Sequence, residues 1–508
     1  MALATSWSVA LLGMEAHLVR IEADLAQGIP GLSITGLPDA SLNEARDRIR
    51  AAIVNSGEHW PTTKRITLGL SPASLPKRGT GFDLALAAGL LAADGIVPTP
   101  QVERSVLLGE LGLDGSVRPV PGVLAALLTL DHDDRTVYVA AENLAEARLV
   151  PGLRSVGVLS LRHLILLLRG VDCEAVDPTS LTRDADPPAG DFLDVAGQPV
   201  GRLACEVAAA GGHNLFMMGP PGCGKTLLAE RMPTILPPLT ESESLEVTAI
   251  HSVAGQLPPD VLIRRPPFQA PHHSATPVSV VGGGNGIARP GAASLAHRGV
   301  LFLDEAPEFV KGVLDALRQP LEHGYVRVSR VNGTAEYPAR FALLLAANPC
   351  PCARTGSDCT CPPNVRRQYL ARVSGPVLDR MDITVELGAI SRADVMGDQE
   401  CESSAVIAAR VLAARERAAA RLAGTPYRTN GDVSPTILAQ RWPIRRDVLG
   451  PVGLAMDKGL LTARGFGRVQ RLAWTLADLN GAEEPGPDEV GLALSLRLGS
   501  VWDRRAAA

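Results

Sequence analysis

Short apolar runs alternate with amphipathic stretches over the first third of the chain. The strand-like runs are VRIEADL, RITLGL, VLLGEL and TVYVAA, and the helix-like ones are DLALAAGLLAADG and VLAALLTLDH. Strands that alternate with helical segments of this length are typical of an α/β domain. We therefore predict an α/β domain over residues 1–172.

Two further blocks follow a polar, acidic and proline-bearing stretch, which we interpret as a linker over residues 173–191. Residues 192–390 return to the α/β pattern, whereas residues 391–508 are predominantly helical. In the last block, SSAVIAARVLAARERAAARLAG has apolar positions at helical spacing and ends in a glycine, which is a stop signal. The predicted fold class is therefore α/β, with a helical C-terminal domain.

The composition fits a globular chain of several domains. With 508 residues, of which 46% are hydrophobic and 20% charged, the chain is too long for one ordinary core. No apolar run reaches transmembrane length, and the N-terminus lacks the basic region of a signal peptide, so we expect a cytoplasmic protein without a membrane partner. Because the net charge is −5, any nucleic acid would have to bind a local surface.

A phosphate-binding loop stands between a strand-like NLFMM and a helix-like TLLAERM. Its residues are Gly219, Pro220, Pro221, Gly222, Cys223, Gly224, Lys225 and Thr226. The glycines allow backbone N–H groups to surround phosphate oxygens at a helix N-terminus. We expect Lys225 to reach the β- and γ-phosphates of ATP and the Thr226 hydroxyl to bind Mg²⁺.

Polar residues also end two later apolar runs. Asp304 and Glu305 follow GVLFL, and Asn348 follows FALLLAA. Asp304 would hold the Mg²⁺ shell, Glu305 would polarise the attacking water, and Asn348 would orient that water or sense the γ-phosphate. The alternatives are an ordinary strand end for the acidic pair and a cap of the turn before Pro349 for the asparagine.

The order of these motifs resembles the magnesium-chelatase-like branch of the AAA+ ATPases, and most closely the ComM (YifB) family. The phosphate-binding loop, VLFLDE, AANPCPC and SGPVLDRMD carry the resemblance, together with RRPPFQAPHHSATPVSVVGGG, ARPGAASLAHRGVLFLDE and LTARGFGRVQRLAWTLADLNG. It covers essentially the whole chain. It implies an AAA+ core with a parallel sheet, a helical lid, assembly into a homohexameric ring, and an ATP-driven motor of the helicase or branch-migration type.

The resemblance also implies roles for residues outside the phosphate-binding loop. Arg380 in LDRMD takes the place of an arginine finger, which would reach the γ-phosphate held by a neighbouring subunit. Arg464 in TARGF is similar to the sensor arginine of the lid, and DVAGQPVGRLA resembles the segment that wraps the adenine.

Four cysteines crowd into the loop over residues 348–363. Cys350, Cys352, Cys359 and Cys361 have the spacing C-x-C-x₆-C-x-C. Four thiolates within so short a span can close a tetrahedral zinc site, which would pin a loop that has no core of its own. Reduced thiols or labile disulfides are the alternatives.

The first domain resembles the Lon-protease fold, through PKRGTGFDLALAAGL and LLGELGLDGSVRPVPGVLAALLTL. Proteolysis by that fold needs a serine nucleophile and a lysine. Gly81 stands where the serine is expected, and Leu124 and Ala126 stand where the lysine is expected. We therefore expect a non-proteolytic module that binds a partner or forms the ring.

Two insertions offer surfaces for a substrate. YVRVSRVNGTAEYPARF predicts a hairpin around Asn332–Gly333, and a longer insertion includes RRPPFQAPHHSATPVSVVGGGNG. Candidate DNA phosphate contacts are Arg327, Arg330, Arg264 and Arg265, with solvated turn arginines as the alternative. His272 and His273 are expected to pack the loop or make polar contacts.

Two functions therefore remain open. The first is a motor that acts on single-stranded or branched DNA, as the ComM resemblance implies. The second is a chelatase-type ATPase subunit that remodels a protein partner for metal insertion.

Overall fold

The fold is described from a computed structural model. It describes residues 2–37, 39–77, 79–130, 135–174, 176, 183–184, 190–256, 261–284, 288–310, 312–330, 333–354, 359–392 and 401–499. Most of the predicted linker over 173–191 lies outside these residues, as do Asn332 of the predicted hairpin turn and the final residues of the predicted lid.

A mixed sheet forms the centre of the N-terminal region. Its strands are β1 (Ala2–Leu12), β2 (Glu15–Gln27), β3 (Gly31–Thr35), β4 (Lys64–Ser71), β5 (Ser105–Leu108), β8 (Thr136–Ala140) and β9 (Ser155–Val158), and β6 (Glu110–Leu111) pairs separately with β7 (Val117–Arg118). The helices are α1 (Ala40–Asn55), α2 (Asp83–Ala93), α3 (Thr99–Glu103), α4 (Val123–Leu128), α5 (Leu144–Ala147) and α6 (Leu161–Leu168). The sheet order is β3–β4–β2–β1–β5–β8–β9, in which the β1–β2 and β2–β4 pairs are antiparallel. Every residue of α2 is buried, because this helix is apolar on all sides and packs against β1 and β2.

The positions at which a protease would have its serine nucleophile and its lysine carry side chains that can act as neither. Gly81 lies just before α2, while Leu124 and Ala126 are buried in α4. Lys77 is fully buried, and its Nζ donates hydrogen bonds to the carbonyl oxygens of Gly36 (3.0 Å), Leu70 (3.3 Å) and Pro72. The Lys77 amine is therefore occupied by the backbone, and a binding or ring-forming role for this region stays a prediction.

A five-stranded parallel sheet forms the centre of the middle region. The strands of this region are β10 (Arg183–Asp184), β11 (Leu215–Met218), β12 (Val261–Leu262), β13 (Phe268–Gln269), β14 (Val300–Leu303), β15 (Tyr325–Arg330), β16 (Gly333–Pro338), β17 (Ala342–Ala347) and β18 (Ile383–Glu386). The helices are α7 (Pro199–Gly211), α8 (Lys225–Ile235), α9 (Glu241–Ala254), α10 (Pro277–Val281), α11 (Ala292–Leu295), α12 (Val313–Ala316), α13 (Arg318–His323), α14 (Pro363–Leu370) and α15 (Gly375–Leu378). The sheet order is β13–β14–β17–β11–β18, and every pair is parallel. This arrangement confirms the predicted AAA+ core, and the unbroken apolar runs of β14 and β17 are those of strands covered on both faces.

The C-terminal region is helical, as predicted. Its helices are α16 (Ser404–Arg421), α17 (Pro435–Arg441), α18 (Gly450–Asp457), α19 (Ala463–Asn480) and α20 (Pro487–Leu498). Helix α16 packs on α7, α8 and α19 through Ile407, Val411, Ala414 and Ala418. It ends at Arg421, before the predicted stop at Gly424, whose φ is +75°. None of the described helices is long and apolar enough to cross a membrane.

Helix α9 joins the middle region to the N-terminal one by packing against α4. The Gly122 N–H donates to Ser252 Oγ (3.0 Å), and the Ser252 hydroxyl donates to the buried carboxylate of Glu146. That carboxylate also accepts hydrogen bonds from the Leu124 N–H (2.8 Å) and from Asn143 Nδ2 (3.1 Å). A buried hydrogen-bond network therefore connects the two regions.

Candidate nucleotide and metal sites

Three parallel strands bring the predicted nucleotide residues to one edge of the middle sheet. Strands β11, β14 and β17 are in parallel register, and they are followed by the phosphate-binding loop, Asp304 and Asn348 respectively. Because carboxyl ends of parallel strands share an edge, the residues meet at the crevice where such sheets bind ligands. The structure thus brings together Thr226 and Asp304, which lie 78 positions apart, and Lys225 and Asn348, which lie 123 positions apart.

The phosphate-binding loop has the backbone shape that the motif requires. Gly222 and Gly224 have φ of +75° and +88°, a region that favours glycine. Lys225 is the first residue of α8, and its Nζ donates to the carbonyl oxygens of Gly219 (2.7 Å) and Pro220 (2.9 Å) and to Asn348 Oδ1 (3.2 Å). These are acceptors that phosphate oxygens can replace.

The two predicted magnesium ligands lie side by side. Thr226 Oγ1 donates to Asp304 Oδ2 at 2.7 Å, and the other carboxylate oxygen of Asp304 accepts from the Glu305 N–H at 2.8 Å. Hydroxyl and carboxylate oxygens suit Mg²⁺, which takes few protein ligands and keeps phosphate and water oxygens for the rest of its shell. The residues present therefore fit the ion.

Glu305 faces a residue to which the sequence assigned no catalytic role. Glu305 Oε2 lies 3.4 Å from His273 Nδ1, and the His272 and His273 rings have centroids 4.0 Å apart. Both histidines follow β13, which is parallel to β14 and ends at the same edge. The pair His272–His273 is visible in the sequence. Its closeness to Glu305 could not be predicted, because it depends on β13 lying next to β14, and the sequence pattern alone does not give the strand order.

The segment predicted to wrap the adenine lies against helix α8, which follows the phosphate-binding loop, and against the chain after β18. Gln198 Nε2 donates to the Gly388 carbonyl at 2.6 Å, and Val195 is buried. A Cβ added at Gly201 would come within 2.7 Å of Leu228 in α8. These contacts support the predicted placement of the base, which stays a prediction.

The two predicted arginines lie at the opposite edge of the sheet from the phosphate-binding loop. Arg380 comes before β18, the Arg380 carbonyl accepts from Asn214 Nδ2 (3.1 Å) just before β11, and the guanidinium forms an ion pair with Glu322. Arg464, at the start of α19, has Nη1 3.7 Å from Asp379 Oδ2. Strand β11 has four residues, so at about 3.3 Å per residue roughly 13 Å of strand lies between the Arg380 backbone and the start of the phosphate-binding loop.

The four cysteines of the loop converge. Their sulfur atoms all lie within 4.8 Å of one another, and Cys350 Sγ is 3.2 Å from Cys352 Sγ and 3.3 Å from Cys359 Sγ. In a tetrahedral zinc–thiolate site, bonds of about 2.3 Å put sulfur atoms roughly 3.8 Å apart, so the cluster needs little expansion. The pKa of the Cys352 thiol is lowered to about 6, chiefly by the Arg354 backbone N–H and then by hydrogen bonds within the cluster, whereas burial raises that of Cys350 to about 12. The donor set fits zinc.

The candidate DNA contacts do not share one environment. Arg327 Nη2 on β15 pairs with Glu336 Oε2 on β16 at 2.9 Å, and both side chains are about half exposed. Arg330 is exposed and lies against the glycine-rich insertion, because a Cβ added at Gly283 would come within 3.0 Å of Arg330 Nη2. Arg264 and Arg265 are exposed after β12, which packs on α9. Of these four arginines, Arg330 is the one whose described contacts connect the hairpin with the glycine-rich insertion.

Comparisons with known proteins agree across the chain. The family model of magnesium chelatase, subunit ChlI, matches residues 191–395. A second model, subunit ChlI of Mg-chelatase, matches residues 21–143, and the model of its C-terminal part matches residues 401–497.

Three relatives extend over nearly their whole length. An uncharacterized protein of Mycobacterium tuberculosis is 51% identical, over 98% of this chain and 99% of its own. The YifB protein of Escherichia coli is 39% identical over 95% and 94%, and the competence protein ComM of Haemophilus influenzae is 37% identical over 98% of each. With the P-loop core, these matches show that the chain belongs to the magnesium-chelatase-like AAA+ ATPases of the ComM and YifB family.

Proposed function

We propose that this chain is the subunit of a homohexameric, ATP-driven motor that acts on DNA, of the helicase or branch-migration type. The observation that carries the proposal is the position of Arg380 and Arg464 across the sheet from Lys225. An arginine has to touch the γ-phosphate to stabilise its charge, so a second subunit must supply it. Head-to-tail contacts between identical subunits close into rings when their rotation allows it.

The phosphate side of the site belongs to one subunit. Bound Mg²⁺ would neutralise phosphate charge, with Thr226 and Asp304 as its protein ligands. When ATP binds, the Lys225 ammonium gives up its hydrogen bonds to the loop carbonyls and donates to phosphate oxygens instead. The loop glycines let the chain approach the phosphates closely.

The hydrolytic step uses residues from two strand ends and from the neighbouring subunit. Glu305 accepts a proton from the attacking water, while Asn348 orients that water from the end of β17. Arg380 and Arg464 of the adjacent subunit stabilise the charge of the transferring phosphoryl group.

The DNA assignment is supported by charge on the hairpin. A six-fold ring would bring six copies of β15–β16 around one axis, so a few arginines per chain become a cationic ring despite the net charge of −5. Arg327 and Arg330 then contact phosphates without reading bases, with Arg264 and Arg265 as further candidates.

The test is ATP hydrolysis and binding measured with single-stranded, duplex and branched DNA over a salt series. We expect sequence-tolerant binding, stimulated hydrolysis, and weaker binding with a flatter salt slope in Arg327→Ala/Arg330→Ala. The matched control is Arg445→Ala/Arg446→Ala, which removes two arginines from the linker before α18. A wild-type protein that neither binds DNA at low salt nor is stimulated by it would contradict the motor.

We further propose that Cys350, Cys352, Cys359 and Cys361 hold a structural zinc ion. The support is the convergence of four sulfur atoms within 4.8 Å in a loop directly after Asn348. With all four positions filled by thiolates, such an ion has no open site for catalysis. It would fix the loop beside the proposed water-orienting residue.

A chelatase-type subunit is the second candidate, because the matching family models are those of magnesium chelatase subunit ChlI. Such a subunit would use ATP hydrolysis to remodel a protein partner that inserts metal. Hydrolysis would then not respond to DNA, and the hairpin double variant would behave as wild type in every DNA assay.

A further inference from the structure

A helix that follows the cysteine loop exposes two adjacent arginines. Helix α14 (Pro363–Leu370) buries Tyr369 and exposes Arg366 and Arg367. Neither arginine forms an ion pair with a residue in the described ranges, although Arg366 Nε donates to the Cys361 carbonyl at 3.2 Å. Both guanidinium groups therefore have donors available to an anion from outside the chain.

The stretch around this helix is cationic within an acidic chain. Residues 348–378 contain four arginines, no lysine and one acidic residue, Asp358, which lies outside the described residues. The whole chain has 54 acidic and 49 basic residues. Because exposed charges interact over about 10 Å at moderate salt, a local excess of arginine attracts an anion despite the net charge of −5.

These two arginines differ from Arg327 of the hairpin in their surroundings. Arg327 pairs with Glu336 at 2.9 Å, so a phosphate has to compete with a carboxylate there. At α14 a phosphate gains charge-assisted hydrogen bonds without displacing a carboxylate of the described residues. The helix thus offers an anion the lower cost of binding.

Helix α14 is held in place on both sides of the arginine pair. Before the pair, the Cys361 carbonyl accepts the hydrogen bond from Arg366, and after it Tyr369 is 4% exposed. Beyond the helix, Arg372 Nη1 pairs with Glu308 Oε2 at 3.3 Å. The backbone of the helix is therefore fixed, and a ligand has to order only the arginine side chains.

Strand β17 separates this surface from the hairpin. The hairpin precedes β17 (Ala342–Ala347), and the cysteine loop follows it. Six residues at about 3.3 Å each give roughly 20 Å of strand between the two connections. A substitution on α14 can therefore be tested with the hairpin intact.

We propose that Arg366 and Arg367 on α14 form a second contact site for the phosphate backbone of DNA, separate from the hairpin. The inference rests on the proposed function, which supplies DNA as the ligand. Because the one aromatic residue of α14, Tyr369, is buried, the helix offers no ring on which bases could stack. The site therefore binds phosphates without reading sequence.

The first test is DNA binding without nucleotide over a salt series, with single-stranded and duplex DNA. Arg366→Ala/Arg367→Ala should bind roughly 3- to 30-fold more weakly, and the slope of log K against log salt should be smaller by about 1 to 2, because each lost phosphate contact releases about one counterion fewer. Arg366→Lys/Arg367→Lys keeps both charges and should retain the wild-type slope. The matched control is the exposed adjacent pair Arg445→Ala/Arg446→Ala, which should bind as wild type does.

A second readout locates the contact. A photo-crosslinking amino acid at Gln368, which is exposed on α14 beside Arg367, should form an adduct with DNA at low salt. The same amino acid at Gln440, which is exposed on α17, should not. An adduct that is absent at Gln368, or equally strong at Gln440, would overturn the site.

The outcomes separate this inference from the motor. Unchanged affinity and slope in Arg366→Ala/Arg367→Ala, or an equal loss in the Arg445/Arg446 control, would overturn the α14 site and leave a DNA-stimulated motor standing. If the wild type binds DNA without stimulated hydrolysis and the α14 variant loses that binding, the site stands and the motor fails. A wild type that binds no DNA at low salt would overturn both.

Discussion

At the residue scale, each reactive group of the phosphate site is engaged by a protein group that substrate or metal would replace. Lys225 donates to Gly219 and Pro220, and Thr226 donates to Asp304. Phosphate oxygens are acceptors like the carbonyls that Lys225 contacts now, and the Thr226 and Asp304 oxygens can ligate Mg²⁺ in place of their mutual hydrogen bond.

The residue-scale prediction concerns ATP hydrolysis. Lys225→Ala should abolish it, because the β- and γ-phosphates lose their cation. Glu305→Gln should still bind ATP but turn over roughly 10²- to 10⁴-fold more slowly, as expected when a general base is removed. Phosphate release and binding of a fluorescent ATP analogue measure the two effects. Wild-type rates in both variants would show that the site assignment is wrong.

The motif predicted the strand, glycine loop and helix around Lys225, because their spacing is local along the chain. The parallel sheet then brought Asp304, Glu305 and Asn348 to the same edge, as the strand-end argument requires. The contact of His273 with Glu305 was not predicted, because it depends on which strands are neighbours. The contact of Arg464 with Asp379 could not be predicted from the sequence either, because it depends on how the C-terminal helices pack on the middle region.

At the element scale, one loop and one helix–helix contact contain thiol or carboxylate groups that apolar periodicity does not predict. The cysteine loop between β17 and α14 brings its sulfur atoms together over a short span. The contact of α9 with α4 is built around the buried carboxylate of Glu146. Hairpin β15–β16 was predicted from its alternation, and the register Tyr325↔Pro338 to Arg330↔Gly333 confirms the hairpin but places Gly333 in β16 and not in the turn.

The cysteine loop leads to a prediction of metal content. The purified protein should contain about one zinc ion per chain, and Cys359→Ser/Cys361→Ser should lose it, because two thiolates do not close a tetrahedral site. Elemental analysis measures the content, and Cys173→Ser, outside the cluster, is the control. A zinc-free preparation that is fully folded and active would contradict the assignment.

The α4–α9 contact leads to a prediction of pH dependence. Burial raises the pKa of Glu146 above the ordinary value of 4.5, although hydrogen bonds from Ser252, Leu124 and Asn143 oppose the shift. A raised folded-state pKa means that the stabilisation is complete below the unfolded pKa and is lost as pH rises through the folded one. The stability of wild type relative to Glu146→Gln should therefore decrease as pH rises above about 4.5.

Denaturant unfolding at several pH values measures this difference. The glutamine amide in Glu146→Gln makes different hydrogen bonds from the carboxyl group, and this changes the free energy of unfolding by an amount that does not depend on pH. Glu142→Gln, which changes an exposed carboxylate four residues earlier, should show no such trend. A stability difference for Glu146→Gln that stays constant or increases with pH would contradict the buried carboxylate.

At the scale of the whole molecule, the sequence predicted three structural regions and the core fold, because apolar periodicity and motif order are properties of long segments. It did not predict the contact of α9 with α4, since neither helix carries a distinctive pattern for its partner. The backbone of Arg380 lies at the start of β11 and the phosphate-binding loop at its end, and from this placement we infer that a second chain supplies the arginine. The proposed ring follows from that separation.

The most direct test of this account mixes two inactive variants. Arg380→Ala retains a complete phosphate site, and Lys225→Ala retains the arginine that the neighbouring site needs. In a random equimolar ring, about one quarter of the interfaces then combine both intact halves. ATP hydrolysis should therefore recover in the mixture. It should not recover when the double variant Arg380→Ala/Lys225→Ala is mixed with either single variant, because every interface then lacks Arg380 or Lys225. Partial recovery is the predicted result, and no recovery in mixtures whose labelled subunits demonstrably exchange would contradict a site shared between subunits.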